Sequence, residues 1–272
     1  MKLKNVAKQL LREIGLLKFA RNIYFRFAYR KWISQAGKRK IFEVSSEENA
    51  VKFSLEDPFS ATFFGYHFKN GVYEEDALKT ILSLLTIEDV FADVGANIGY
   101  FTCTAATKVS QGKVYAFEMG KENTNILARN IELNGLKNVH IEHCAVADSS
   151  GTVFHEESSV GNAVLRILAD NRNNNPDVVS IRSISLDDFF NSRDKVPVLV
   201  KIDVEGAEMK VLKGMQKLLS GHIKILIEIH EKELRYFQSS REEVLEYLES
   251  FGFTLQSIGN DVKKNNLVLA IK

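Results

Sequence analysis

Cysteine is scarce in this sequence, since only Cys103 and Cys144 occur among its 272 residues. Two cysteines cannot build a disulfide framework, and no C-x-x-C or H-E-x-x-H spacing is present. We therefore expect no metal site and a reducing, cytoplasmic location. Long apolar runs are absent too, because charged residues interrupt the stretch 10–20 that comes nearest to one. The sequence thus predicts neither a membrane span nor a secretory signal peptide.

Acidic residues are almost absent from residues 1–40, where twelve Lys or Arg accompany a single acid, Glu13. This segment has a net charge of +11, whereas the remaining residues have a net charge of −10. Apolar side chains recur there at helical spacing between the basic ones. Residues 1–45 are therefore predicted to form a basic arm of one or two amphipathic helices, and residues 46–272 to form a single catalytic domain.

Three interpretations of the basic arm stay open. In the first, it binds an anionic membrane surface, where each basic residue contributes about 1 kcal/mol, and it places the protein at the inner face of the membrane. In the second, it packs on its own domain or on a second copy of the chain in an oligomer. Contact with nucleic acid is disfavoured, because the acidic remainder of the chain repels phosphate.

Beyond the first ninety residues, segments of strand and helix pattern alternate along the chain. This order is typical of an α/β protein with a doubly wound parallel sheet. The last two predicted strands, 254–258 and 267–271, are joined without a helix and should form an antiparallel closing pair. Residues 51–55 and 62–68 are predicted to form short strands that precede the sheet in the chain. Residues 207–219 are predicted to form one helix of the alternating region.

A glycine-containing turn follows the first strand of this sheet. The sequence VFADVGANIGYFT places Asp93, Gly95 and Gly99 where a buried strand turns into a helix. Gly95 lets the backbone turn tightly, and the free N–H groups at the helix start suit polar or anionic ligand atoms. A dinucleotide fingerprint requires glycine where this sequence has Asn97 and Tyr100, so NAD is disfavoured.

A second acid, Glu118, closes the next strand, KVYAFE. It lies about as far along the chain as an acidic side chain that accepts both hydroxyls of a bound ribose. Two acids at successive strand ends suit a cationic cofactor that carries a ribose. The structural alternative is that Asp93 caps a helix and Glu118 lies on the surface.

Four segments carry a family resemblance: DVGANIGYFT, AFE, RNIELNGLKNV and KIDVEGAEMKVLKG. Together they resemble the FkbM family of methyltransferases, which is common in bacterial polysaccharide gene clusters, over roughly residues 71–271. The resemblance implies the class I methyltransferase fold, with a Rossmann-like doubly wound sheet, and S-adenosylmethionine as the cofactor. It leaves the substrate open.

The resemblance also implies a set of cofactor contacts. The acid at position 93 would support the methionine ammonium group, and the glycine loop would pass beneath the ribose and the methionine. The residues expected to contact the cofactor are Asp93, Gly95, Ala96, Asn97, Gly99, Glu118, Met119, Ala145 and Asp203. Met119 stands where the family usually has proline, which alters the stiffness of the loop more than its bonding to ribose.

The sequence VKIDVEGAE raises a question of charge, because Lys201, Asp203 and Glu205 alternate at the end of a buried strand and would share one face. Unpaired charges there would be costly. Ligands of open α/β sheets gather at the carboxyl ends of the strands, so Asp203 is expected to face the cofactor and the acceptor. Lys201 is expected to compensate the charge of Asp203 or of Glu228.

Three side chains are candidates to remove a proton from the acceptor: Asp203, Glu205 and His230. Among them we favour Asp203 and His230 as a pair, with Glu228 on the strand of His230 to orient or charge the imidazole. The competing interpretation is that His230 is a structural or exposed histidine.

The acceptor is predicted to be a hydroxyl group. Amino-group methylation of nucleic-acid bases typically uses N/D-P-P-aromatic after this strand, whereas here the sequence is D-V-E-G. We therefore expect an O-methyltransferase that acts on a sugar of a bacterial polysaccharide, on a related glycan or on a secondary metabolite. The alternative is a catalytically silent module that binds S-adenosylmethionine and recruits partners through its basic arm.

Overall fold

The computed structural model describes residues 40–45, 50–67, 73–156, 167–168, 178–259 and 266–272. Nearly all of the predicted basic arm, residues 1–39, therefore lies outside the described residues. The chain divides into two compact units. No helix in the described ranges is both long enough and apolar enough to cross a membrane.

The smaller unit contains strand β1 (Ile41–Ser45), most of strand β2 (Ala50–Ser54) and helix α1 (Pro58–His67). The two strands pair with each other. The ring of Phe64 in α1 lies 4.9 Å from the ring of Phe42 and 5.0 Å from that of Phe53, measured between ring centroids. Aromatic contacts therefore hold the helix against the strand pair.

The prediction of a strand over residues 62–68 is wrong, because α1 occupies these positions up to His67. The carboxylate of Asp57 accepts a hydrogen bond of 2.7 Å from the backbone N–H of Ser60, and Pro58 stands at the first helical position. Both features favour a helix start. The start signal upstream thus outweighs the strand propensity of the aromatic residues that follow it.

The larger unit alternates strands and helices as predicted. Its strands are β3 (Val90–Val94), β4 (Lys113–Glu118), β5 (Val139–His143), β6 (Ala145–Val146), β7 (Gly151–Glu156), β8 (Ile167–Leu168), β9 (Val178–Ile184), β10 (Leu199–Ile202), β11 (Lys224–Glu228), β12 (Thr254–Ser257) and β13 (Leu267–Ile271). Its helices are α2 (Glu75–Leu84), α3 (Tyr100–Lys108), α4 (Lys121–Leu133), α5 (Leu186–Phe190), α6 (Glu208–Lys213), α7 (Gln216–Leu219), α8 (Glu231–Leu234), which continues as a 3-10 helix (Arg235–Phe237), and α9 (Arg241–Ser250).

Seven of these strands form the central sheet in the order β12-β13-β11-β10-β3-β4-β5. The strands from β11 to β5 run parallel, whereas β13 is antiparallel to both β11 and β12. This topology confirms the predicted doubly wound sheet with an antiparallel closing pair. Because β3, β4, β10 and β11 are parallel, their carboxyl ends lie at one edge of the sheet, where ligands of such folds bind.

The middle of the sheet is buried on both faces. Every residue of β10 is buried, and Val200 and Ile202 belong to one apolar cluster with Val211 of α6 and Leu248 of α9. The continuous apolar pattern of this strand is typical of a parallel strand covered by helices. The strands between β5 and β10 in the chain form a separate four-stranded sheet in the order β6-β9-β7-β8.

The helix predicted over residues 207–219 is two helices, α6 and α7. The break lies at Gly214, where an added Cβ would stand 2.0 Å from the carbonyl oxygen of Ala147. The backbone of Gly214 therefore packs directly on the chain that follows β6, and no larger residue fits. A glycine inside a helical pattern thus marked a close contact between backbones.

Candidate active site

The turn after β3 brings the chain back against the end of β10. Gly95, Asn97 and Gly99 have φ values of 83°, 52° and 90°, which lie in the left-handed region. A Cβ at Gly95 would stand 1.8 Å from the carbonyl oxygen of Asp203. Glycine is therefore required here both by its backbone conformation and by the contact with β10.

Glu118 ties this turn to the end of β4. One carboxylate oxygen accepts the N–H of Asn97 at 2.8 Å and the other accepts the N–H of Gly120 at 2.7 Å. Burial raises the pKa of Glu118 to about 7, although these hydrogen bonds oppose the shift. The residue is 6% exposed, so the alternative of a surface Glu118 is wrong. The side chain of Asn123 forms a further hydrogen bond to this carboxylate, which leaves only part of its acceptor capacity for a ligand.

Asp93 lies completely buried at the end of β3. Its Oδ2 accepts a hydrogen bond of 2.6 Å from the hydroxyl of Thr102 in α3, and its Oδ1 has no hydrogen-bond partner among the described residues. Burial raises the pKa of Asp93, while the nearby ammonium of Lys201 and the Thr102 hydrogen bond act in the opposite direction. Asp93 thus joins the strand end to the first turn of α3.

Lys201 is the buried counter-ion of two strand-end acids. Its Nζ lies 3.1 Å from Oδ2 of Asp203, 4.0 Å from Oδ1 of Asp93 and 4.7 Å from the ring centroid of Phe101. Burial disfavours the charged form of Lys201, but the neighbouring carboxylates outweigh it and raise the pKa. Lys201 therefore stays an ammonium group. The predicted pairing with Asp203 is present, and the second acid within ion-pair distance is Asp93 rather than Glu228.

Four carboxylates surround the ring of His230, which follows β11. Its Nε2 lies 3.5 Å from Glu205, 3.8 Å from Asp203 and 3.8 Å from Glu228, each measured to a carboxylate oxygen. Its Nδ1 lies 2.8 Å from Oε1 of Glu208. The structure thus brings together the three predicted proton acceptors and Glu228. His230 is not an isolated exposed histidine.

This arrangement shifts several pKa values. Burial disfavours the charged form of His230, but the hydrogen bond to Glu208 and the charges of Glu205, Asp203 and Glu228 outweigh it and raise the pKa to about 9. Burial raises the pKa of Glu205 to about 7, and burial together with the charge of Asp203 raises that of Glu228 to about 7. Such perturbed groups gather at functional sites.

Glu208 is the functional candidate that sequence reasoning missed. It lies in the first turn of the predicted helix, where an acid is commonly exposed and favoured by the helix dipole. In the structure it is 0% exposed. Helical periodicity carried the signal, because Glu208 shares a face at i+3, i+4 and i+7 with Val211, Leu212 and Met215, which are all buried.

An apolar patch adjoins these charged groups. Met119 after β4 and Ala145 in β6 pack in one cluster with Ile181 and Ala207. Ala96, by contrast, belongs to a cluster on the face covered by α4. Met119 and Ala145, two of the apolar residues expected to contact the cofactor, therefore lie together, and both pack near Ala207 in the segment that follows Asp203.

The charges at this edge suit a cationic ligand. Five carboxylates, those of Asp93, Asp203, Glu205, Glu208 and Glu228, face two basic side chains, Lys201 and His230. The excess of negative charge and the adjoining apolar patch fit a nucleoside that carries a positive charge. Asp203, Glu228 and His230 also place one ligand atom each within 4.8 Å of one another, but acidic groups at such spacing are common without a metal.

Comparison with known proteins shows which protein family this chain matches. The sequence model of the protein family described as the methyltransferase FkbM domain matches residues 93–255, which is more than half of the chain. The hexuronic acid methyltransferase AglP of Haloferax volcanii is 30% identical over 159 residues, which cover 58% of this chain and 62% of that protein. The 31-O-demethyl-FK506 methyltransferase FkbM of Streptomyces tacrolimicus is 26% identical over 196 residues, which cover 61% of this chain and 73% of that protein.

The match thus spans less than two thirds of the length of the Haloferax protein. Among solved structures, a SAM-dependent O-methyltransferase from Thermotoga maritima superposes with a TM-score of 0.43 and 16% identity, covering 74% of this chain and 66% of that one.

Proposed function

The chain belongs to the FkbM-domain family of methyltransferases, and on this basis we propose that it methylates a hydroxyl group of a sugar. The cofactor is S-adenosylmethionine, which supplies, when bound, an electrophilic methyl group on a positively charged sulfur. A sugar acceptor is supported by the Haloferax relative, whose name gives a hexuronic acid as its substrate. A hydroxyl acceptor is supported above all by the placement of His230 beside the ends of β10 and β11, where four carboxylates surround its ring.

We assign the nucleoside part of the cofactor to four residues. The remaining acceptor capacity of Glu118 suits a ribose hydroxyl, and the apolar patch of Met119 and Ala145 suits an adenine base. The side chain of Asp203 is 23% exposed and is available to a positive charge. Lys201 stands behind Asp203 and holds its carboxylate in place.

His230 is assigned as the group that accepts the acceptor's proton. The cofactor would supply the methyl group, its S–CH3 bond breaking to leave a neutral thioether. As the hydroxyl oxygen gains that methyl group, its O–H bond breaks and the proton passes to Nε2 of His230. Asp203 and Glu205, within 3.8 Å and 3.5 Å of that nitrogen, stabilise the imidazolium that results. A positioned base of this kind contributes about 10²-fold to 10⁴-fold in rate.

The charge of the free site bears on when His230 can act. A pKa of about 9 keeps the ring protonated at neutral pH. A positive charge bound among Asp203 and Glu205 disfavours the imidazolium and lowers that pKa. A positive charge held there would thus favour the neutral form of His230, which a base requires.

The proposed function is tested with radiolabelled S-adenosylmethionine and a panel of glycans with and without hexuronic acid, each assayed with and without EDTA. We expect S-adenosylhomocysteine and a methyl ether on a ring hydroxyl, with no effect of EDTA, because the base is an imidazole nitrogen. A methyl ester on the acid group, an N-methylated product, or a requirement for a divalent cation would contradict the proposal. Neutral glycans serve as the control for the acid group of the acceptor.

A further inference from the structure

We propose that Glu208 is a positioning residue that holds the ring of His230 in the orientation and tautomer that proton transfer requires. This inference deepens the proposed function and rests on it. Glu208 lies in α6, behind the imidazole and away from the side on which Asp203, Glu205 and Glu228 face Nε2. It therefore acts through His230 rather than on a ligand.

The chemistry of a buried carboxylate fixes the tautomer of the ring. Oε1 of Glu208 lies 2.8 Å from Nδ1 of His230 and also accepts the N–H of Gly206 at 3.0 Å. Because Oε1 already acts as an acceptor towards Gly206, it also accepts from Nδ1, which therefore carries the proton. In the neutral ring the lone pair is then on Nε2, which is the nitrogen that faces the strand ends. Because Glu208 is 0% exposed, water does not compete for this contact.

The loop between β10 and α6 is shaped to deliver Glu208 to this place. Glu205 and Gly206 adopt consecutive left-handed conformations, with φ values of 52° and 104°. A Cβ at Gly206 would lie 2.6 Å from the backbone carbon of Glu233 in α8. A non-glycine residue in the left-handed region is strained, and such strain persists only where the surrounding structure enforces it. The turn thus packs the loop that precedes Glu208 against the helix that follows His230.

Glu208 also has the largest favourable effect on the charge of His230. The groups that face the ring are Glu208 at Nδ1 and Asp203, Glu205 and Glu228 at Nε2. Burial opposes the imidazolium, and the hydrogen bond that Nδ1 donates to Glu208 is the largest of the effects that raise the pKa of His230. Removing the negative charge of Glu208 should therefore lower the pKa of His230.

The test compares the wild-type chain with Glu208→Gln, and it uses Glu231→Gln in the neighbouring α8 as the matched control, since that side chain is 54% exposed. The pH dependence of kcat/KM reports the pKa of the base in the free enzyme. In the wild type and in the control we expect kcat/KM to rise with pH, with a midpoint at a pH of about 9. In Glu208→Gln the midpoint of this rise should move to lower pH. The maximal kcat/KM should fall about 10²-fold or more, because the amide can also stabilise the wrong tautomer of His230.

Nitrogen NMR of histidine-labelled protein gives a readout that does not depend on turnover. We expect the Nδ1–H tautomer above the pKa in the wild type and a lower pKa of His230 in Glu208→Gln. An unchanged pKa and tautomer in the variant would overturn the positioning role. The same NMR change in a protein that methylates no acceptor would reject the proposed function and leave the link between Glu208 and His230 intact.

A double variant separates positioning from a general structural effect. In the His230→Ala background, Glu208→Gln should cost little further activity, because its effect acts through the missing ring. A further loss as large as in the wild-type background would overturn the proposal. If Glu208→Gln does not fold, Glu208→Asp replaces it. The shorter carboxylate should move the midpoint of the rise in kcat/KM to lower pH, by less than the glutamine is expected to. An unchanged midpoint would overturn the proposal.

Discussion

Replacing His230 by alanine is expected to lower the turnover number about 10²-fold or more while binding of S-adenosylhomocysteine stays close to that of the wild type. The ring lies 14% exposed between the ends of β10 and β11, where its Nε2 can meet an acceptor hydroxyl. Its removal takes away the proton acceptor but none of the groups assigned to the nucleoside. Calorimetric titration and a methyl-transfer assay on the same preparation measure the two quantities.

The matched control for this variant is His222→Ala, since His222 is an exposed histidine just before β11. We expect its turnover to equal that of the wild type. Asp203→Asn should lower turnover as well, because Asp203 stabilises the charged ring and pairs with Lys201. Unchanged turnover in both His230→Ala and Asp203→Asn would reject the assignment of the base.

Replacing Lys201 by methionine is expected to lower the free energy of unfolding by about 3–5 kcal/mol, which is the usual cost of removing one partner of a buried ion pair. The side chain of Lys201 is 2% exposed and lies between Asp203 and the fully buried Asp93. Without the ammonium group, two neighbouring carboxylates lose their counter-ion, and water does not reach Asp93 to replace it. Urea denaturation of both proteins measures the difference.

Two further variants test the cause of this loss. Lys210→Met removes a lysine whose side chain is 35% exposed and whose ion pair with Asp148 has an Nζ–Oδ2 distance of 3.3 Å. Such a surface pair is worth about 1 kcal/mol or less. Adding Asp93→Asn to Lys201→Met should restore part of the lost stability. The charge explanation fails if Lys201→Met costs no more than Lys210→Met.

Much of the fold could be predicted because the pattern of each strand follows from its burial. Strand β10 is apolar at all but one position and is buried throughout, so its place inside a parallel sheet was readable from the sequence. Residues 62–68 were misassigned because the helix signal lies outside them, at Asp57 and Pro58. The break at Gly214 depends on a contact with Ala147, which no local pattern contains.

The site residues that lie at strand ends could be predicted from the sequence. The contacts between residues that are distant in the sequence could not. Glu118 ends β4 and Asp203 directly follows β10. Because parallel strands end at the same edge of the sheet, the shared edge of these two acids follows from the order of elements. The contact of Glu208 with His230 joins positions 22 residues apart through a strained turn. The pairing of Lys201 with Asp93 depends on the neighbouring register of β10 and β3.

One molecule of S-adenosylmethionine is expected to bind at the carboxyl edge of the sheet, with its ribose on Glu118. Calorimetric titration of S-adenosylmethionine into the wild type, into Glu118→Gln and into the exposed control Glu122→Gln tests this most directly. We predict one bound molecule per chain in the wild type and in the control, and about tenfold weaker binding in Glu118→Gln because a charged hydrogen-bond acceptor is lost. No binding by the wild type, or equal affinity in all three proteins, would contradict the account.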